Sequence, residues 1–259
     1  MKRIVTALIV GPAVIATVLW APEWLFLIVL AAVAVLCFYE YGGIAAAYGI
    51  EKPGIAGYVA GLILLFSVYE PALLIVLFAL LALGLAMTSA DLRHSLPRAG
   101  AFLLGIVYIF GAWHWAIPLR LRSPYWLLFA LALMWIGDTA AYYGGRAFGK
   151  HKMAPRVSPG KTWEGGAASM VGSVVFGILF LHYLLPDVAV GWAATLSVAG
   201  NIAGQIGDLA ESALKRGAGV KDSGAMLPGH GGWLDRVDSA LFTLPVIYWM
   251  LAVAGARIP

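Results

Sequence analysis

The sequence predicts an all-α, polytopic integral membrane protein with about nine transmembrane helices. Three observations carry that expectation. Of the 259 residues, 62% are hydrophobic and 12% charged, against roughly 45–50% and about 25% in soluble domains. The apolar residues fall into blocks, each close to the ~20 that a helix needs to cross a bilayer. The basic residues collect in alternate connections between those blocks, the usual charge asymmetry of membrane proteins.

In chain order the blocks are Ile4–Trp20, Trp24–Tyr41, Ile55–Tyr69, Pro71–Ser89, Ala99–Leu119, Pro124–Tyr143, Gly165–Leu185, Val188–Leu209 and Ser239–Ala256. Met1-Lys2-Arg3 before an apolar run imitates a secretory leader. The short turn Ala21-Pro22-Glu23 runs straight into the next block, so the first block reads as an uncleaved span. With the N-terminus in the cytoplasm, alternation leaves only Arg120, Arg122 and Arg257 of the 17 Lys and Arg outside. The net charge of +4 therefore belongs to membrane flanks and does not point to nucleic acid. The single cysteine, Cys37, lies in an apolar run and excludes a disulfide framework.

The chain reads as one membrane domain of two characters. Residues 1–123 look like a scaffold. Residues 124–259 carry the chemistry-bearing groups and the charged loops. Along the eighth block, Ser197, Asn201, Gln205, Asp208, Ser212 and Lys215 are three or four residues apart, one stripe within roughly 80° on a helical wheel. A polar seam gluing helices together would use such a stripe. A carboxylate and an ammonium exceed what glue requires, so the stripe is read as lining a hydrated cavity that opens to the cytoplasm.

Beyond it come Lys221-Asp222, the run Leu227-Pro228-Gly229-His230-Gly231-Gly232, and Asp235-Arg236-Val237-Asp238. Asp235 and Asp238 share a helix face. Such a pair suits a hard divalent cation such as magnesium, with Asp208 completing the set. The plainer alternative for either aspartate alone is an N-cap. The glycines around His230 permit close backbone approach to phosphate oxygens.

Asp138 lies in the sixth block about 12 Å from its charged end at Arg146, a costly depth for a carboxylate. The following loop holds Lys150, His151, Lys152, Arg156 and Ser158-Pro159-Gly160-Lys161-Thr162-Trp163-Glu164. Gly160-Lys161-Thr162 is not a P-loop, because Pro155 stands where that motif needs its first glycine and no parallel strand precedes it. The basic cluster also suits an anionic membrane surface. Gly165, Ser169, Ser173 and Gly177 form a strict four-residue row that reads as a helix-packing face.

The stretch Ser212 to Asp238 resembles the signature of the phosphatidate cytidylyltransferase (CDP-diacylglycerol synthase) family. Gly207-Asp208-Leu209 and Glu211 agree with it, as do Gly137-Asp138-Thr139, Gly149-Lys150-His151-Lys152 and Ser158 to Gly165. The first half agrees in length, span count and Glu40-Tyr41. The resemblance implies transfer of CMP from CTP to phosphatidic acid, giving CDP-diacylglycerol and pyrophosphate. It also implies magnesium, a second, monovalent cation (K+), a homodimer, and a bacterial inner membrane with the active site facing the cytoplasm.

On that reading Asp208, Asp235 and Asp238 hold the metal. Lys161, Lys215, Arg216, Lys221 and Arg236 contact phosphates, and Asp222 orients Lys221. Asp138, Ser158, Thr162, Ser212, His230 and Gly231 belong to the substrate site. A transporter would need polar groups reaching both faces, and the charged clusters here gather toward one. A lipid-alcohol kinase or a synthase of CDP-activated archaeal lipids would share the CTP chemistry but differ in substrate.

Overall fold

The computed structural model describes residues 2–68, 71–89, 91–227, 229 and 231–254, and for 2–8 the helix alone. His230, Glu70 and Arg257 lie outside the described residues. Among those described, nine helices follow in order: α1 (Lys2–Trp20), α2 (Glu23–Ala47), α3 (Gly54–Leu65), α4 (Pro71–Ala86), α5 (Leu92–Arg122), α6 (Pro124–Phe148), α7 (Trp163–Leu184), α8 (Val190–Gly217) and α9 (Leu234–Val253). Between α6 and α7 lies an antiparallel hairpin of β1 (Lys152–Ala154) and β2 (Ser158–Thr162), pairing Lys152 with Thr162 and Ala154 with Ser158.

The helices start where local chemistry satisfies their free N–H groups. Asp91 accepts from Arg93 N at 3.0 Å ahead of α5. Ser123 accepts from Tyr125 N at 3.3 Å, with Pro124 at the first position of α6. Thr162 Oγ1 accepts from Gly165 N at 3.1 Å, and Glu164 sits in the first turn of α7. α5 relaxes into a π-helical stretch at Ile106–Gly111.

Among the described residues five helices, α2, α5, α6, α7 and α9, are long and apolar enough to cross a membrane. That supports an integral membrane architecture; α1, α3 and α4 add shorter apolar helices, and the expected count of about nine spans is not confirmed. α3 and α4 have 12 and 16 residues, about 18 and 24 Å of rise. α8 is long, but its polar stripe takes it out of the apolar set. On α4, Leu73, Val76, Leu77, Leu80, Leu81 and Leu83 are all exposed, a surface that water would not tolerate and lipid would.

The described chain forms two compact units that divide it differently from 1–123 and 124–259. The first comprises 1–17, 21–117 and 214–236. Its core is aromatic: Phe38 packs on Tyr58, Phe110 and Tyr41 at centroid distances of 5.0, 5.1 and 6.2 Å. Gly61 and Gly105 admit these rings, because a Cβ at either would collide with Phe110 or Tyr41. Tyr41 donates to Ala101 O at 2.9 Å, tying α2 to α5.

The second unit comprises 18–20, 118–213 and 237–259. There α6 and α7 lie against one another through small residues: a Cβ on Gly144 would strike the Ala168 methyl, and one on Gly172 the Ala140 methyl; on the other side of α7, a Cβ on Gly177 would strike Ser197 Oγ of α8. The row Gly165, Ser169, Ser173 and Gly177 is buried throughout, as the packing-face reading expects.

Candidate functional site

The membrane half of the polar stripe on α8 turns out to be glue. Asn201 is 2% exposed. Its Nδ2 donates to Ser169 Oγ at 2.8 Å and Ser173 Oγ at 2.9 Å, and its Oδ1 accepts from Gln205 Nε2 at 2.5 Å. Ser197 is fully buried and donates to Ala193 O at 2.7 Å. The cavity reading is thereby corrected for these three residues. In a buried helix interface an amide finds hydroxyl partners on the neighbour, and helical spacing alone does not distinguish such a partner from water.

Farther along, in the second unit, Asp208 meets Lys161: Lys161 Nζ lies 2.6 Å from Oδ2, and Ser212 Oγ donates to Oδ1 at 3.2 Å. Lys161 reaches this position from β2, whose hairpin is braced by Glu164. That carboxylate accepts from Lys150 N at 3.1 Å, from His151 N at 3.2 Å, and contacts His151 Nδ1 at 2.6 Å. The hydroxyl of Thr162 is committed to its N-cap, so its first role is structural. Ser158 lies in β2 opposite Ala154. Asp138 is exposed on α6. Asp238 is buried and accepts from Ser239 N at 2.7 Å. A Cβ on Gly207 would come within 2.8 Å of Asp238 O, which marks a close crossing of α8 and α9.

The first unit holds the other cluster. Lys215 and Asp235 form a buried ion pair. Asp235 also accepts from Gly232 N at 2.8 Å and Ser223 N at 3.0 Å, so it organises the glycine loop as well as the start of α9. Arg216 Nη1 donates to Val220 O at 3.0 Å, closing the end of α8. Lys221, Asp222 and Arg236 are exposed. Gly219, Gly229 and Gly231 have φ of 72°, 79° and 78°, left-handed values that glycine adopts without steric cost.

One residue of this cluster was absent from the sequence-derived set. Glu40, midway along α2, is 2% exposed. Its Oε1 accepts from Trp233 N at 3.0 Å, and its Oε2 accepts from Leu234 N at 2.8 Å and Ser223 Oγ at 3.0 Å. It thus caps α9 from another helix. The available signal was an acid inside an otherwise apolar block.

Among the described residues, no three His, Cys, Asp or Glu side chains gather into a metal-holding group. Asp208 and Asp235 each face a lysine ammonium. The donor chemistry still fits a hard cation: carboxylate oxygens, each with an ammonium in the place of a balancing cation.

The fold and the two charge clusters define a helical membrane protein whose polar chemistry is ionic and suited to phosphate. The chain belongs to the cytidylyltransferase family, whose model matches residues 1–254. It is similar to a phosphatidate cytidylyltransferase of Haemophilus influenzae, with 34% identity over 284 aligned positions covering 94% of this chain and 96% of that protein. It is similar also to proteins of the same name from Bacillus subtilis (37% identity; 69% of this chain, 68% of that one) and Staphylococcus saprophyticus (38%; 61% of each).

Proposed function

We propose that this protein transfers the cytidylyl group of CTP to phosphatidic acid, forming CDP-diacylglycerol and pyrophosphate for phospholipid synthesis. The observation that carries the reading is similarity along nearly the full length of both chains to a phosphatidate cytidylyltransferase. A phosphate oxygen of phosphatidic acid attacks the α-phosphorus of CTP. The bond from that phosphorus to the β-phosphate bridging oxygen breaks, and pyrophosphate leaves with the electron pair. The attacking phosphate is already anionic, so the task is alignment and charge neutralisation rather than proton removal.

Lys161, Lys215, Arg216, Lys221 and Arg236 are the proposed phosphate contacts. Lys161 and Lys215 are supported by their placement on aspartates from which an incoming phosphate could draw them. Asp222, Ser158, Ser212, Gly231, His230 and Asp138 complete the proposed substrate site, with Thr162 supporting it through the α7 cap. Magnesium is the proposed metal, held by Asp208, Asp235 and Asp238, and it would screen the phosphate charge. A monovalent cation such as K+ is proposed beside it. A homodimer in the bacterial inner membrane completes the proposal, with the site facing the cytoplasm, an orientation that the distribution of Lys and Arg supports.

The test is product formation by purified protein in detergent, given magnesium, CTP and phosphatidic acid. Equal amounts of pyrophosphate and CDP-diacylglycerol, dependent on both substrates, are expected. Transfer to diacylglycerol, or no product from folded protein, would overturn the assignment.

A further inference from the structure

We infer that Glu40 is a positioning residue for the nucleotide-handling loop, acting from a helix otherwise devoted to packing. The inference rests on the proposed CTP site at residues 215–236. Glu40 lies 183 or more residues before each of its partners, and its two oxygens accept three hydrogen bonds, from Ser223 Oγ, Trp233 N and Leu234 N. Those donors bracket the glycine loop: Ser223 follows Lys221-Asp222, and Leu234 opens α9. Gly224 and Gly232 press against the same carboxylate, and a Cβ on Gly224 would lie 2.6 Å from Oε1.

The loop therefore has two anionic anchors with separate duties. Asp235 takes Gly232 N, Ser223 N and Lys215. Glu40 takes the next two amides and the Ser223 hydroxyl. Ser223 joins them, its Oγ donating to Glu40 and accepting from Asp235 N at 3.3 Å. A carboxylate is required at position 40, because all three partners approach as donors. A glutamine amide presents an NH2 group to at least one of them in either orientation, and so sets donor against donor.

The consequence is specific. In Glu40→Gln the loop loosens while the aromatic core around Phe38 keeps its volume. The KM for CTP rises about tenfold, the loss expected for one hydrogen bond to a charged group, and the KM for phosphatidic acid stays within about twofold. Glu40→Asp, one methylene short, behaves like Glu40→Gln.

The experiment measures both KM values and amide exchange of the 224–234 peptide, for wild type and both variants in the same detergent, with melting temperature recorded alongside. Faster exchange confined to that peptide, with the CTP-selective KM change and a melting temperature within a few degrees of wild type, supports the inference. Unchanged exchange with unchanged KM for CTP overturns it, as does an equal loss toward both substrates. Wild type lacking CTP-dependent product overturns the functional proposal instead, while loop exchange still tests Glu40 as an anchor.

Discussion

Replacing Asn201 by alanine separates glue from cavity on α8. The substitution removes three hydrogen bonds: to Ser169 Oγ, to Ser173 Oγ and from Gln205 Nε2. Interhelical hydrogen bonds in membrane proteins average about 0.6 kcal/mol each, so the two to Ser169 and Ser173 amount to about 1.2 kcal/mol, the Gln205 bond lying within α8 itself. That is roughly eightfold in the folding equilibrium. Unfolding in graded detergent mixtures, followed by circular dichroism, reads this directly. Turnover per folded molecule is expected to stay within about threefold, because no bond of Asn201 runs to a charged group. Wild-type stability with a large loss of turnover would refute the reasoning and return this part of the stripe to a substrate cavity.

Asp208→Asn and Asp238→Asn should each lower turnover by about a hundredfold or more with little effect on melting; near-normal activity in either removes it from the proposed metal set. Lys161→Ala should lower kcat/KM by a similar factor, and Lys161→Arg should restore only part of it, because a planar fork does not replace a point charge in that position. Gly144→Leu should fail to give folded protein, since its side chain would occupy the place of Ala168; size-exclusion chromatography in mild detergent checks this. Chelation with EDTA should abolish product formation and added magnesium should restore it, leaving the helical circular dichroism signal unchanged.

The charged residues were legible in the sequence and their pairing was not, for a physical reason. Charged residues in an apolar chain are conspicuous, so Asp208, Asp235, Lys161 and Lys215 were legible, and all four take part in ion pairs. Their pairing was not legible, because spacing along one helix does not say which ammonium arrives from another segment. Glu40 was visible beside Tyr41 but its role was not, for the same reason: its partners are at positions 223, 233 and 234. The row Gly165, Ser169, Ser173, Gly177 and the stripe Ser197, Asn201, Gln205 were each visible. What periodicity could not show is that Ser169 and Ser173 are the partners of Asn201. The hairpin escaped because strands of three and five residues, one holding Pro159-Gly160, leave no alternation to detect. α2 runs on to Ala47, past the expected end at Tyr41, because Ile44-Ala45-Ala46-Ala47 sustains the helix beyond Gly42-Gly43.

The pairing of aspartates with lysines also bears on how a triphosphate would bind. A buried carboxylate is tolerable only when its charge is met. Lys215 and two loop amides meet Asp235, Lys161 and Ser212 meet Asp208, and donors from Ser223, Trp233 and Leu234 meet Glu40. On the proposed assignment an incoming triphosphate competes with Asp235 for the Lys215 ammonium. A lysine drawn toward phosphate leaves its aspartate unbalanced, and a divalent cation would restore the balance. Binding of CTP and of magnesium is then coupled through the protein as well as through the nucleotide. The coupling is reciprocal, so an apparent affinity for CTP that rises with magnesium must appear equally as an affinity for magnesium that rises with CTP. Glu40 stands outside this exchange because all its donors are backbone or hydroxyl groups that carry no charge to give up, which suits it to hold the loop still while the Lys215–Asp235 pair opens.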